Sequence, residues 1–338
     1  MVLISKNRLS CVAQRQAARV ERPVSPQYRA FGVDFASSFP FRTHLSLDSG
    51  SIDFVLGPAS GRKADYPRSC PLYSSILRDA QGRSWFKLYR SRSEEVLHFT
   101  DLADFFLTDH KVGFRALSSN GRHALEGLFL SSVLAYWLEK HGVIALHASA
   151  VVLKQKAVAF LAHSTGGKSS LAAIMMQGGA ALLTDDILPI EVEISGIHAR
   201  SGYPEMKLGP DLGRWLIGQK FNELRPIPRT EKRVLQVESW GGGFHIESTA
   251  LTCIYVAERC PPADRNKDVK IIPLTKRDAL VELLRFGFVA RLIERVGLPQ
   301  DRLRRLGRIV ERVPVKRLIY PSGFDLLPKV AAAIAADI

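Results

Sequence analysis

Cysteine is scarce, with only Cys11, Cys70, Cys253 and Cys260 in 338 residues. No two of them stand as CxxC, which excludes a zinc clip, and so sparse a set is no disulfide framework. The expectation is a reduced, cytoplasmic chain with ordinary semi-buried thiols. Long apolar runs are missing as well. No uncharged stretch approaches the ~18 residues of a membrane span, and polar residues break Met1–Lys6 too early for a secretory signal. Internal repeats and low-complexity segments are absent, which removes solenoids and fibrous arrays. What remains is ordinary for a globular protein: 46% hydrophobic and 24% charged residues, enough to bury a sizeable core and too apolar for wholesale disorder. The length suits two domains, or one large domain with an extension.

Acidic residues are in the minority, 33 against 47 Lys and Arg, for a net charge of +14. The excess sits at the two ends. Residues 1–30 carry six basic residues against Glu21 alone, and 285–317 carry ten against Glu294, Asp301 and Glu311. Such charge attracts polyanions. No nucleic-acid recognition motif accompanies it and few aromatics interleave with it. Nucleic acid and membrane are therefore not expected as partners. A solvated face, or a surface that gathers an acidic peptide, explains the same charge.

Organisation shifts along the chain. Residues 1–27 read as a loosely structured N-terminus, punctuated by Pro23 and Pro26. Short β-like runs follow at 30–35, 51–56, 84–89 and 96–100. Leu125, Leu128, Leu130, Val133, Leu134 and Leu138 then predict a helix over 121–140, capped near His141-Gly142. This gives a β-rich N-terminal domain over 28–138 and a second domain over 139–338. In the second domain strands and helices alternate: a strand or hairpin arm over 143–153, a strand at 157–161, a helix over 168–177, and strands at 180–183 and 251–257. Helices at 277–293 and 300–312 follow, separated by Gly297 and Pro299. Strand, loop, helix and strand in sequence imply an α/β core.

One segment carries chemistry. Ala162-His-Ser-Thr-Gly-Gly-Lys-Ser169 fits G-x-x-x-x-G-K-[ST] with alanine at the first position, between an apolar strand and a helix. A phosphate chain needs converging backbone N–H groups and the positive end of a helix. Ser164, Thr165, Gly166, Gly167, Lys168, Ser169 and Ser170 are the candidate nucleotide-binding residues. Lys168 would reach the β- and γ-phosphates, and the Ser169 hydroxyl would ligate Mg²⁺. Asp185-Asp186 ends the next strand, where open α/β sheets place ligands. One carboxylate could hold the metal and the other take a proton from a nucleophile. His147 ends an earlier strand candidate and could stand at the same edge. His163, inside the loop, could touch phosphate or face solvent.

His147, Lys168 and Asp185-Asp186 stand in the order and at the spacings of the bacterial HPr kinase/phosphorylase family, which the chain resembles over about 140–190. Ala162-His163 and Thr165 replace that family's usual Gly-Asp and Gly. Gly202–Leu208, Glu231-Lys232-Arg233 and Val313–Pro321 are more similar to the HPr-kinase-related enzymes of lasso peptide pathways. The resemblance implies a P-loop, HPr-kinase-like (PEPCK-like) α/β core, with a smaller β-rich N-terminal domain and a basic helical C-terminal region. It implies ATP and Mg²⁺ as cofactors and transfer of the γ-phosphate to a serine hydroxyl of a peptide or small protein, typically a lasso peptide precursor. By carry-over, Asp185 is the base, Asp186 and Ser169 hold Mg²⁺, Lys168 binds the nucleotide phosphates, and His147 sits beside the acceptor or the γ-phosphate. Lys232 and Arg233 are further candidates for phosphate or acceptor contacts. A homo-oligomer is compatible with the resemblance. Two alternatives stay open: an HPr-type kinase/phosphorylase, and a non-catalytic nucleotide-binding protein that docks a partner.

Overall fold

The computed structural model describes residues 25–47, 51–59, 70–79, 81–91, 94–163, 166–227, 230–297 and 299–338. Nearly all of the expected loose N-terminus, and with it Cys11, lies outside the described residues, as do Ser164 and Thr165 of the phosphate loop.

The first part is one sheet with a helical layer. Its strands are β1 (Gln27–Ala30), β2 (Val33–Ser37), β3 (Phe54–Pro58), β4 (Tyr73–Ser74), β5 (Phe86–Arg90), β6 (Glu95–Phe99), β7 (Ala103–Leu107) and β8 (Lys111–Ala116). They lie in the order β1-β2-β3-β8-β7-β6-β5-β4. The run over 30–35, expected as one strand, is instead a hairpin. Phe31 and Gly32 both take positive φ, 58° and 68°, the geometry of a two-residue turn that matches strand twist. The helix expected over 121–140 is present in three pieces: α1 (Ser119–Leu128), a π-helical turn at Phe129–Val133 and α2 (Leu134–Lys140). Ser118 caps it, its Oγ accepting from the Gly121 N–H at 3.1 Å. Its Leu125, Phe129, Val133 and Trp137 pack with Phe35, Phe54 and Phe105 of the sheet.

The second part holds β9 (Ile144–Leu146), β10 (Ala148–Leu153), β11 (Lys156–Leu161), α3 (Lys168–Gln177), β12 (Ala181–Thr184), β13 (Leu188–Val192) and β14 (Ile197–Ala199). A separate small sheet follows, formed by β15 (Glu205–Leu208), β16 (Arg225–Pro226) and β17 (Arg233–Gln236), with α4 (Pro210–Ile217) between the first two. The chain then rejoins the main sheet through β18 (Gly243–Phe244) and β19 (Thr249–Arg259), and continues with β20 (Lys270–Pro273), α5 (Lys276–Arg285), α6 (Ala290–Val296), α7 (Pro299–Arg312), β21 (Val315–Tyr320) and α8 (Leu327–Asp337). The main sheet runs β18-β12-β10-β11-β19-β14-β13-β9, with β21 on β19 and β20 on β21. Two apolar clusters flank it. One joins α3 and α8 to the sheet through Leu171, Tyr255 and Val330. The other joins α5 and α7 through Leu283, Leu306 and Ile309. The architecture is therefore mixed α/β.

The helix expected over 277–293 breaks between Arg285 and Ala290. There the backbone leaves the helix to pair with β9: Phe288 N donates to the Ala145 carbonyl at 2.9 Å, and Gly287 bridges Leu146. Much of the basic charge around it is locally paired. Arg304 and Arg305 hold Asp301, Arg317 lies near Glu258 and Glu282, and Lys316 meets Asp337. Arg302 is buried against Glu139 of α2 at 3.1 Å. Among the described residues, no helix is long and apolar enough to cross a membrane.

Candidate active site

The topology of three strands gathers the polar residues. β11 and β12 each pair antiparallel with β10 between them, so β11 and β12 run parallel. The C-terminal ends of β11 and β12 and the N-terminal end of β10 therefore meet at one edge. That edge receives the loop before α3, Asp185-Asp186 after β12, and His147 and Ser149 at the start of β10.

The loop is tight. Gly166 N donates to the His163 carbonyl at 2.9 Å. A Cβ on Gly166 would lie 2.7 Å from the Ala162 methyl. Alanine at the first motif position is thus accommodated because Gly166 has no side chain. Gly167 has φ 98°, and a Cβ there would also strike the Tyr320 hydroxyl. Tyr320 Oη donates to the Gly166 carbonyl at 3.2 Å, so β21 braces the loop from behind.

Lys168 opens α3 and folds back so that Nζ donates to the Ala162 carbonyl at 3.0 Å. Burial pushes its pKa down. Asp185 and Asp186 oppose the shift, and the nearby charge of Lys232 adds to it. Ser169 Oγ donates to Asp185 Oδ1 at 3.1 Å, as does Ser149 Oγ at 2.5 Å. The other oxygen, Oδ2, accepts from the Lys207 backbone N–H at 2.9 Å. Asp185 is therefore buried, its two oxygens held by three different elements.

Asp186 has a different setting. Its φ of 77° is unusual for a residue with a side chain, and it turns the carboxylate away from that of Asp185. Oδ2 sits 2.6 Å from Lys207 Nζ, and Oδ1 sits 3.3 Å from His147 Nδ1. Burial works against the Asp186 charge. The Lys207 ammonium and His147 outweigh it and hold the carboxyl well below its ordinary range. Lys207 is shifted the opposite way: burial is overcome by Asp186, and its pKa rises. His147 Nδ1 also donates to the Asp186 carbonyl at 3.0 Å. A carbonyl only accepts, so Nδ1 carries the proton. The His147 backbone N–H is held by the Phe286 carbonyl at 2.8 Å, and its ring meets Phe288 edge-on at 5.6 Å. Tyr203 stands close enough to feel both carboxylates. Burial pushes its hydroxyl up to about 12.

The structure brings together His147, Lys168, Ser169, Asp185 and Asp186, with Gly166 and Gly167 in the loop. Ser169 meets Asp185 rather than the Asp186 with which it was paired as a metal ligand. Ser170 does not join the cluster and lines a separate pocket with Tyr320. Lys232 is exposed. Arg233 does not join the cluster: its Nη1 is held by the Leu224 carbonyl at 2.6 Å, and it lies over the Phe221 ring. His163 is exposed, with its ring 5.1 Å from Phe286. Two site residues escaped sequence reasoning, Ser149 and Lys207. The alternation Glu205-Met206-Lys207-Leu208 was the available signal for Lys207, since it sets Glu205 and Lys207 on one face of a strand.

Ser169 and Asp185 offer Mg²⁺ two hard oxygen donors side by side. That fits an ion whose other positions are taken by phosphate oxygens and water. Among the described residues, no group of three His, Cys, Asp or Glu side chains could hold a metal by itself.

No family model and no curated protein matches the chain. Among solved structures, the Hpr(Ser) kinase/phosphatase from Coxiella burnetii is similar at 10% identity and a TM-score of 0.31, over 57% of this chain and 95% of that one.

Proposed function

We propose that the protein is a phosphotransferase that passes the γ-phosphate of a nucleoside triphosphate, ATP with Mg²⁺, to a serine hydroxyl of a peptide or small protein. The observation that carries this reading is the division of labour between two adjacent carboxylates. Asp185 is bonded to the loop serine, Ser169, and Asp186 faces His147 and Lys207.

This arrangement favours exchanging the roles first expected from the sequence. Asp185 and Ser169 would hold Mg²⁺, which when bound neutralises charge on the β- and γ-phosphates. The loop N–H groups and Lys168 would bind the same oxygens. Lys168 is pre-positioned for this, since release from a single carbonyl frees it to turn toward phosphate. Asp186 would receive the acceptor hydroxyl. Asp186 is half-buried whereas Asp185 is buried, so Asp186 is the carboxylate an incoming group can reach. Held ionised by Lys207, it would orient the hydroxyl through a charge-assisted hydrogen bond and take its proton as the bond to phosphorus forms. A loose transition state asks for little more basicity than that. His147, protonated on Nδ1, would keep Asp186 in place and turn Nε2 toward the reacting groups.

The similarity of 202–208, 231–233 and 313–321 to the lasso-pathway enzymes favours a precursor peptide as acceptor. The test is mass spectrometry of a serine-bearing precursor peptide after incubation with the protein, ATP and Mg²⁺, with HPr in parallel. One added phosphate on a serine, absent with Asp186→Asn, supports the reading. Full transfer by that variant contradicts it.

A further inference from the structure

The segment 200–207 is held from two directions. At the sheet edge it supplies Lys207, whose Nζ meets Asp186 and whose backbone N–H meets Asp185. On its other side it meets the N-terminal part. The tip of the β1–β2 hairpin sets the Phe31 ring edge-on against Tyr203 at 5.5 Å. A Cβ on Gly202 would lie 3.1 Å from that ring and 2.5 Å from Thr184 Oγ1. The segment is therefore wedged between the hairpin and the end of β12.

Two residues before Lys207 the contact becomes polar and directional. Glu205 is buried. Its carboxylate accepts from Thr43 Oγ1 at 3.2 Å, from Gln236 Nε2 at 2.6 Å and from Arg225 Nη2 at 3.0 Å. Gln236 and Arg225 belong to the same small sheet as Glu205. Thr43 belongs to the N-terminal part and is buried as well. Its backbone N–H donates to Glu126 Oε1 of α1 at 2.7 Å, and the Arg42 N–H donates to the same oxygen at 3.1 Å. A buried run of hydrogen bonds, Glu126 to Thr43 to Glu205, thus joins α1 to β15. Apolar contact such as Phe31 on Tyr203 is non-directional and tolerates sliding. Buried hydrogen bonds fix distance and angle, and a lost partner is costly there. The polar run therefore sets where β15 lies along the seam.

The two aspartates depend on β15 unequally. Asp185 also holds Ser149 and Ser169, so it keeps two partners if β15 moves. The Oδ2 contact of Asp186, at 2.6 Å, is made by Lys207 itself.

We propose that Thr43 and Glu205 are positioning residues for phosphate transfer: through β15 they set Lys207 against Asp186, so the N-terminal part shapes the transfer step without touching the reacting atoms. The proposal rests on the reading of Asp186 above and adds what places that carboxylate.

Two measurements on the full chain test it: single-turnover transfer to a serine-bearing precursor peptide at saturating Mg²⁺–ATP, and amide hydrogen exchange over 205–208. Thr43→Val stays close in shape and removes the hydroxyl. It is expected to lower the transfer rate roughly ten- to hundredfold, to leave Mg²⁺–ATP affinity nearly unchanged, and to speed exchange over 205–208. Thr43→Ser, which keeps the donor, should behave as native in all three. In a Lys207→Met background, Thr43→Val should cause no further loss of rate, because its effect runs through Lys207, whereas a general structural role gives losses that add. Gln236→Leu removes another donor from Glu205 and should act in the same direction, so the outcome does not hang on one variant folding. A native transfer rate in Thr43→Val, additive losses with Lys207→Met, or a loss of Mg²⁺–ATP affinity in place of rate overturns the proposal. Failure of the underlying reading looks different: native protein transfers no phosphate while Thr43→Val still speeds exchange over 205–208, and the assigned role in transfer falls with that reading.

Discussion

Two regions concentrate charge, and they use it in opposite ways. At the sheet edge, Lys168, Lys207, Asp185 and Asp186 come from α3, β15 and the end of β12, and they are mostly enclosed. Each partner shifts the other: Lys207 holds Asp186 ionised, and Asp186 holds Lys207 protonated. In the α5–α7 region the number of charges is larger and the coupling is local. Arg304 and Arg305 reach Asp301 one turn away, and all but Arg305 of the three are well exposed. Such solvent-screened pairs contribute little to stability. Net charge is therefore a poor guide to where chemistry happens in this chain. Burial and the convergence of distant segments are the better one.

The contrast can be broken at several points. The largest expected effect is on transfer. Asp186→Asn should lower the rate about 10²–10⁴-fold with nucleotide affinity nearly intact, as read by single-turnover transfer and calorimetry. Asp185→Asn should instead weaken binding of the Mg²⁺–nucleotide complex, because it removes the negative charge beside Ser169 that would hold the metal.

Next comes a basic residue of the C-terminal region that behaves like the site. Arg302 is buried beside Glu139, whose carboxyl also accepts from the Ala145 N–H at 3.0 Å. Arg302→Ala leaves that carboxylate enclosed and should cost about 3–5 kcal/mol in denaturant unfolding. Arg304→Ala, two residues on, should stay within about 0.5 kcal/mol. Equal losses at the two positions would erase the distinction drawn between them.

Acid should expose the site's coupling. The Asp186 carboxyl has a lower pKa folded than unfolded, so the unfolded chain binds more protons between the two values, and stability falls as pH drops below about 3.8. Asp186→Asn should flatten that part of the stability–pH curve. An unchanged slope would show that the Lys207 contact contributes nothing to folding. The smallest effect on nucleotide binding is expected at the loop brace. Tyr320→Phe removes only the bond to Gly166 and should weaken nucleotide binding by a few-fold, about 1 kcal/mol.

Sequence patterning served well where local rules govern. The helix over 168–177 lies at Lys168–Gln177, and the strands before and after it lie within a residue of their expected places. It served poorly where distant segments meet. β7 is buried at every position and lacks the alternation that marks a half-exposed strand, so it was not expected. The insertion of β10 between β11 and β12, which delivers Ser149 and His147, is a matter of sheet order that no local pattern encodes. The roles of the two aspartates depend on one backbone angle. Adjacent residues of a strand point to opposite faces, but the positive φ of Asp186 sets where its carboxylate turns. Lys207 arrives from a separate small sheet and is tied to the site by its backbone as well as its side chain.

The most direct test compares Asp185→Asn and Asp186→Asn side by side for Mg²⁺–ATP affinity and for single-turnover phosphate transfer to a serine peptide. The account predicts a crossed result: the Asp185 variant loses affinity, and the Asp186 variant binds normally but fails to transfer. The reverse pattern, or transfer that survives in both, would contradict it.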